Sequence, residues 1–196
     1  RENGRATAVT TSAGETIAAD VFGIGLGLTI NTELAVGTGI QTRTGFVTDE
    51  RLFTGVDGVY AAGDCAEFYD PGAQMHYRMG TWNSAGAHGK LAAINMSGGA
   101  AAYDTIPEYS SLVFRGQTIT QFGLSPEYRD DLECDTHVDN ERGWYRALYF
   151  LEGRLVGGVM IGKGNRAGKR RYLDAIRTRA TFERAERREL LVWTSE

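Results

Sequence analysis

Thr54-Gly55-Val56-Asp57-Gly58-Val59-Tyr60-Ala61-Ala62-Gly63-Asp64 is the stretch on which the reading of this chain turns. From Gly58 onward it is apolar until it stops at Gly63 and Asp64. That pattern reads as a buried strand, and open α/β sheets place ligands at the carboxyl ends of parallel strands. A glycine there lets another group approach the backbone closely, and an aspartate accepts hydrogen bonds from sugar or polyol hydroxyls. The same residues also suit an ordinary strand followed by an aspartate turn.

Working upstream, residues 5–28 read as two short strands around Ser12-Ala13-Gly14-Glu15, the second leading into a buried strand over Ile17 to Leu28. Thr44 to Asp49 reads as a further short strand. Downstream, Glu67 to Arg78 reads as a loop, and the Ala-rich stretch from Thr81 to Met96 as a helix. Thr81 or Gly80 would cap that helix, Gly98 and Gly99 would end it, and a small-residue face would pack closely on the sheet. Residues 98–107 are the most plausible boundary. Beyond them the pattern turns antiparallel, with strands expected over Leu112 to Phe114, Gln117 to Phe122, Leu132 to His137, Gly143 to Leu151 and Arg154 to Ile161. Glu152-Gly153 would be a tight turn, and a helix from about Lys169 to Arg188 would close the chain.

Composition bounds the possibilities. The 196 residues hold one large domain or two small ones, and 42% hydrophobic with 23% charged residues argues against wholesale disorder. Lys+Arg 21 against Asp+Glu 25 gives a net charge of -4, so nothing global calls for nucleic acid or an acidic membrane face. No apolar run reaches the roughly 18 residues needed to span a bilayer, and no signal segment is evident. A cytoplasmic location is therefore the expectation, and Cys65 and Cys134, which form no CxxC pair, fit a reducing compartment. Gly at 26 with Pro at only 3 suits tight turns and close backbone approach, so a ligand near backbone is expected. The chain opens on Arg1 as though inside a sheet, and a fragment is the expectation.

The run Thr54 to Asp64 resembles the second FAD-binding signature of the pyridine nucleotide-disulfide oxidoreductase superfamily, flavoproteins with two dinucleotide-binding domains. Glu15 to Asp20, then Gly23-Ile24-Gly25 and Asn31-Thr32-Glu33-Leu34, resemble the end of that family's NAD(P)-binding insert, with Ile30 where the family has a proline. Thr81-Trp82-Asn83 and the following Gly-Lys-Leu-Ala-Ala run are similar to the ferredoxin, rubredoxin and nitrite reductase branch. So is the tail, through Phe122-Gly123, Gly143-Trp144-Tyr145 and the glycines around Val156. The fold this implies is α/β plus α+β: the C-terminal half of a two-dinucleotide-domain flavoprotein with a small antiparallel β plus helix C-terminal domain. Residues 1–30 would end the NAD(P)-binding insert, 31–104 would be the second half of the FAD domain, and 105–196 the C-terminal domain.

The resemblance assigns Asp64 to the FAD ribitol or nearby pyrophosphate, with Gly63 permitting the contact. Thr81 would open a helix aimed at the flavin pyrimidine edge, where its positive end favours the reduced, anionic ring. Trp82 would lie beside the ring system and the approach of NAD(P)H, although a core or interdomain aromatic is the plainer account of a lone tryptophan. The implied activity is hydride transfer from NAD(P)H to FAD and onward transfer of electrons to an acceptor protein or small molecule. The cofactor supplies the chemistry and the protein supplies position and electrostatics.

Several familiar parts are missing. Gly23-Ile24-Gly25-Leu26-Gly27 lacks the third glycine of a GxGxxG phosphate loop, and neither a redox cysteine pair nor a His-Pro-Thr type motif occurs. As 196 residues alone, the chain is expected to be inactive, so a non-catalytic interaction module remains the alternative. Other candidates are weaker: Cys65 reads as packing, His76 as a loop histidine, and Glu67 with Asp70 as loop carboxylates. His76, His88 and His137 lack metal-ligand spacing. Residues 163–188 carry ten Lys or Arg against Asp174, Glu183 and Glu186. That reads as a solvated helix packed through Leu173, Ile176 and Ala180, or as a docking surface for an acidic electron carrier, with nucleic acid a fainter option.

Overall fold

The computed structural model describes residues 4–192, the Phe114 side chain excepted, so Arg1 and residues 193–196 lie outside it. It is an α+β structure with two hydrophobic cores. The first is built on a three-stranded sheet and one long helix. Strand β3 (Phe46–Thr48) runs parallel to β4 (Ala66–Asp70), and β4 pairs antiparallel with β5 (Met75–Tyr77). A separate exposed hairpin, β1 (Ala8–Thr10) with β2 (Thr16–Ala18), precedes them.

Helix α1 (Trp82–Met96) forms as its sequence demands. Thr81 sits in extended backbone and its Oγ1 accepts the Ser84 N–H at 3.2 Å, satisfying one of the amides a helix start leaves without a partner. Ser84, His88, Leu91, Ala92 and Asn95 recur at helical spacing and are the buried face. Gly86 and Gly89 are exposed and a methyl on either would meet nothing within 4 Å, so the small-residue face does not pack on the sheet; the close approach is Ala85 against Gly63. Phe68 of β4, fully buried, meets Tyr77, His88 and Tyr103 at ring distances of 4.8, 4.5 and 4.6 Å, the centre of this core. The Asn95 amide holds the following coil by donating to the Arg51 and Ala101 carbonyls and accepting the Ala101 N–H.

The second core lies on a five-stranded antiparallel sheet in the order β6-β7-β10-β9-β8. Its strands are β6 (Glu108–Leu112), β7 (Thr118–Gly123), β8 (Glu133–Asp139), β9 (Trp144–Leu151) and β10 (Arg154–Ile161). Helices α2 (Lys169–Arg177) and α3 (Arg184–Val192) cover one face, burying Tyr172, Ala175, Leu190 and Leu191 against Phe122, Leu148, Phe150 and Leu155. Buried Arg146 ties them down by donating to the Asn165 Oδ1, the Tyr172 hydroxyl and the Leu191 carbonyl. At the β10 bulge the chain must be glycine: a Cβ on Gly157 would stand 1.9 Å from the Leu124 carbonyl oxygen.

Several expectations hold: the first hairpin, the strand after Thr44, the Thr81-capped helix, and the β9–β10 pair about Glu152-Gly153, both in left-handed backbone. Others need correction. Residues 20–28 form no strand and stand exposed, with Val21 at 86% and Leu26 at 92%. Glycine at every second position strips that run of the side chains a strand packs with, and β2 finds only the three residues of β1 to pair with. Gly58 to Asp64 is not a sheet strand either. Thr54 N–H donates to Val59 O and Ala61 N–H to Leu52 O, so the segment spends its hydrogen bonds in a local hairpin. The partner of β3 is instead β4, and the expected 67–78 loop contains the β4–β5 hairpin, its turn capped by Asp70 accepting the Gly72 and Ala73 N–H groups. Strand β6 ends at Leu112 rather than starting there, since Arg115 and Gly116 turn the chain in left-handed backbone.

The single C-terminal helix is two. Between them Arg179 is left-handed, Phe182 N–H donates to Gly153 O, and Thr181 bridges Arg154, so the segment abandons helix to pair with the β9–β10 hairpin. Leu173, Ile176 and Ala180 do pack on the second core, but Tyr172 and Ala175 are its buried helical members.

Candidate functional site

The four residues singled out from sequence meet around the first turn of α1. Gly63–Cys65 is a single 3-10 turn entering β4, so Asp64 precedes a parallel strand rather than ending one. Gly63 is buried in left-handed backbone at φ 78°, a conformation costly for any residue with a Cβ, and the nearest atom to a methyl there would be the Ala85 Cβ at 3.5 Å. The turn thereby rests directly on α1. Asp64 is exposed, and a Cβ on Gly80 would lie 3.8 Å from its carboxylate, which puts the acid beside the residue leading into the Thr81 cap. Trp82 follows at 93% exposure, so it is not packed in either core of this chain. The site is thus a rim formed by a carboxylate beside a helix N-terminus, while the exposed indole of Trp82 lies along α1 with Gly86, Lys90 and the coil 101–105.

Beneath the rim is a support the sequence reading assigned no role. His88, fully buried, accepts the Gly63 N–H on Nδ1 at 3.3 Å. An acceptor at Nδ1 requires the proton on Nε2, which has no hydrogen-bond partner among the described residues and lies in a site walled by the Phe68 and Tyr103 rings. Burial pushes the imidazole down to about 4, so it is neutral at physiological pH. Helical spacing was the available clue, since His88 falls one turn after Ser84 on the buried face.

A polar brace holds the other side of the turn. Glu67, 6% exposed, accepts from the Thr44 N–H at 2.8 Å and the Thr44 hydroxyl at 2.9 Å, and pairs with Arg43 at 2.9 Å. Arg78 reaches Thr44 Oγ1 and the Asp64 carbonyl, both at 3.3 Å. Glu67 and Asp70 are therefore structural carboxylates, Asp70 accepting from the Tyr77 hydroxyl at 2.8 Å as well as from its own turn. Cys65 donates weakly to Ala62 O, and Cys134 is exposed. His76 packs on the Tyr69 ring. Among the described residues no cluster of His, Cys, Asp and Glu converges on a metal-sized site, and no helix is long and apolar enough to cross a membrane.

Part of the basic excess is used internally: Lys169 pairs with Glu108, Arg177 with Asp174, and Arg187 with Glu133 and Asp135. Lys163, Arg166, Arg170, Arg184 and Arg188 are exposed.

An exposed acid at a glycine turn with a capped helix start beside it is an arrangement that can bind hydroxyl and anionic groups of a ligand. The family model described as pyridine nucleotide-disulphide oxidoreductase matches residues 1–89, and that part of the chain is what is similar to the family. The chain is 31% identical over 164 residues to rhodocoxin reductase of Rhodococcus erythropolis, covering 82% of this chain and 37% of that one. It is 27% identical over 166 residues to rubredoxin-NAD(+) reductase of Ectopseudomonas oleovorans, covering 85% and 42%. A ferredoxin reductase structure from Rhodopseudomonas palustris superposes with a TM-score of 0.73 at 25% identity, over 84% of this chain and 40% of that one. The fold is also that of putidaredoxin reductase in its covalent complex with putidaredoxin, with a TM-score of 0.79 at 23% identity over 94% of this chain and 42% of that one. The chain spans about two fifths of the length of these relatives.

Proposed function

We propose that this chain carries the second half of the flavin site of an FAD-dependent NAD(P)H oxidoreductase that delivers electrons to a redox protein. Residues 1–30 would end the NAD(P)-binding insert, 31–104 complete the FAD domain and 105–196 form the C-terminal domain. The observation that carries the reading is that the buried Gly63 turn rests on α1 and sets the exposed Asp64 carboxylate beside the Thr81 cap at the helix start.

These residues fit FAD. Asp64 presents an exposed carboxylate suited to polyol hydroxyls, and the absence of a side chain on Gly80 leaves its oxygens open on that flank. Helix α1 directs its first amides and roughly half a positive charge at the rim, where they favour negative charge on a bound ring. Trp82 offers an exposed flat apolar face. His88 and Glu67 hold the turn so that Asp64 is positioned before the cofactor arrives. When bound, FAD supplies the hydride and electron chemistry. The exposed cations around α2 and α3 would orient an acidic electron carrier, raising its association rate at low salt.

The test extends this chain upstream through any GxGxxG segments and records the visible spectrum with added FAD. Flavin bands that bleach on addition of NADH or NADPH, with FAD held at least about ten-fold more weakly by Asp64→Ala, are the expected result. A polypeptide that stays colourless, or an Asp64→Ala variant with undiminished FAD affinity, overturns it.

A further inference from the structure

A second cleft, of about 450 Å³, shares no residue with the rim of α1. It lies between the β4–β5 turn, the coil after Tyr103, the β9–β10 hairpin and the C-terminal end of α2. Its volume is that of a small-molecule site, and its apolar surface comes from Leu124, Leu155, Val156 and Ile176. Three guanidinium groups, those of Arg154, Arg177 and Arg179, also line it.

These cations are lightly held by the protein. Arg154 meets Glu152 at 3.6 Å where Glu152 is 81% exposed, and Arg177 meets Asp174 with both side chains more than half exposed. Exposed pairs of this kind hold weakly. Arg179 reaches the Pro71 carbonyl at 3.4 Å. Two carboxylates line it as well, Asp70, which accepts from the Tyr77 hydroxyl and two turn amides, and Asp104.

One feature points to a ligand. The Tyr103 hydroxyl is buried and has no hydrogen-bond partner among the described residues, an expensive state for a donor on a residue that lines a cleft.

We propose that this cleft binds an aromatic carboxylate of one or two rings. The ring body rests on Leu124, Leu155 and Ile176, the carboxylate faces the arginines, and the Tyr103 hydroxyl donates to an oxygen of the ligand. A single negative charge suits the site better than a phosphate, because Asp70 and Asp104 also line it and repel a multiply charged group more strongly.

The test uses the full chain, without flavin, and isothermal titration calorimetry with 2-naphthoate, with 2-naphthamide as its uncharged isostere. Saturable binding at one site is expected, with the amide at least about ten-fold weaker, and with Arg154→Gln/Arg179→Gln weakening 2-naphthoate about ten-fold at unchanged circular dichroism. Tyr103→Phe, which removes only the unpartnered oxygen, is expected to weaken it severalfold. Absence of saturable heat up to millimolar ligand, or equal affinity for acid and amide, overturns the proposal. So does a double variant that binds as tightly as the parent. None of these readouts involves FAD, so they stand or fall apart from the flavin reading.

Discussion

Lowering the pH should weaken this fold through one side chain, His88. In the folded chain its imidazole is held near pKa about 4, against an ordinary 6.5, because it is buried with its Nδ1 occupied by the Gly63 N–H. Above about pH 6.5 neither the folded nor the unfolded chain protonates it, and stability does not depend on its titration. As the pH falls through 6.5 the unfolded chain binds a proton that the folded one refuses, so stability declines until the folded imidazole also titrates near pH 4. At about 1.4 kcal/mol per pH unit between the two values, the whole effect is about 3 kcal/mol, and about 2 kcal/mol is lost by about pH 5. Carboxylates titrate in the same range, so the comparison is with His88→Gln, which keeps an acceptor near Gly63 but cannot titrate. Urea unfolding followed by circular dichroism at about pH 7.5, 6.5, 5.5 and 5 gives each stability by linear extrapolation. The parent should lose about 2 kcal/mol more than the variant across that range. Parallel curves would refute the claim that burial of His88 sets the pH dependence.

Two glycines should fail for different reasons. Gly157→Ala drives a methyl to 1.9 Å from the Leu124 carbonyl oxygen and 2.7 Å from its nitrogen, neither of which is a side chain that can swing away, and should cost about 3 kcal/mol or more. Gly63→Ala meets nothing closer than 3.5 Å and should cost only the left-handed backbone, about 1–2 kcal/mol; equal losses in thermal or urea melts would contradict this ordering. Thr81→Ala removes the cap on Ser84 N–H and should lower stability by about 1 kcal/mol, with Thr81→Ser restoring most of it in the same melts.

The helix and the hairpins were legible because their signals are local. Thr81, the buried periodicity through Asn95 and the closing glycines specify α1 within one stretch of chain. Glu152-Gly153 specifies the β9–β10 turn in the same way. The misread segments are those whose backbone partners differ from the ones their residue pattern suggests. The run to Leu28 is apolar enough for a strand but has no ladder to join. Gly58 to Asp64 resembles a strand but bonds back onto residues 52–54, and the terminal helix breaks at Arg179 because the β9–β10 hairpin offers Thr181 and Phe182 backbone partners.

The site divides along the same line. Sequence alone determined the candidate residues, since Gly63, Asp64, Thr81 and Trp82 are marked by a glycine turn, a helix cap and a resemblance that residue types suffice to carry. Tertiary structure alone decided that the acid lies beside the start of α1 and that Trp82 stands open. It also decided that His88 and Glu67 support the turn from beneath, by hydrogen bonds spanning 25 and 23 residues. Residue type cannot reveal such support, because an imidazole becomes a neutral acceptor, and a carboxylate a brace, only when folding buries it beside a particular backbone amide.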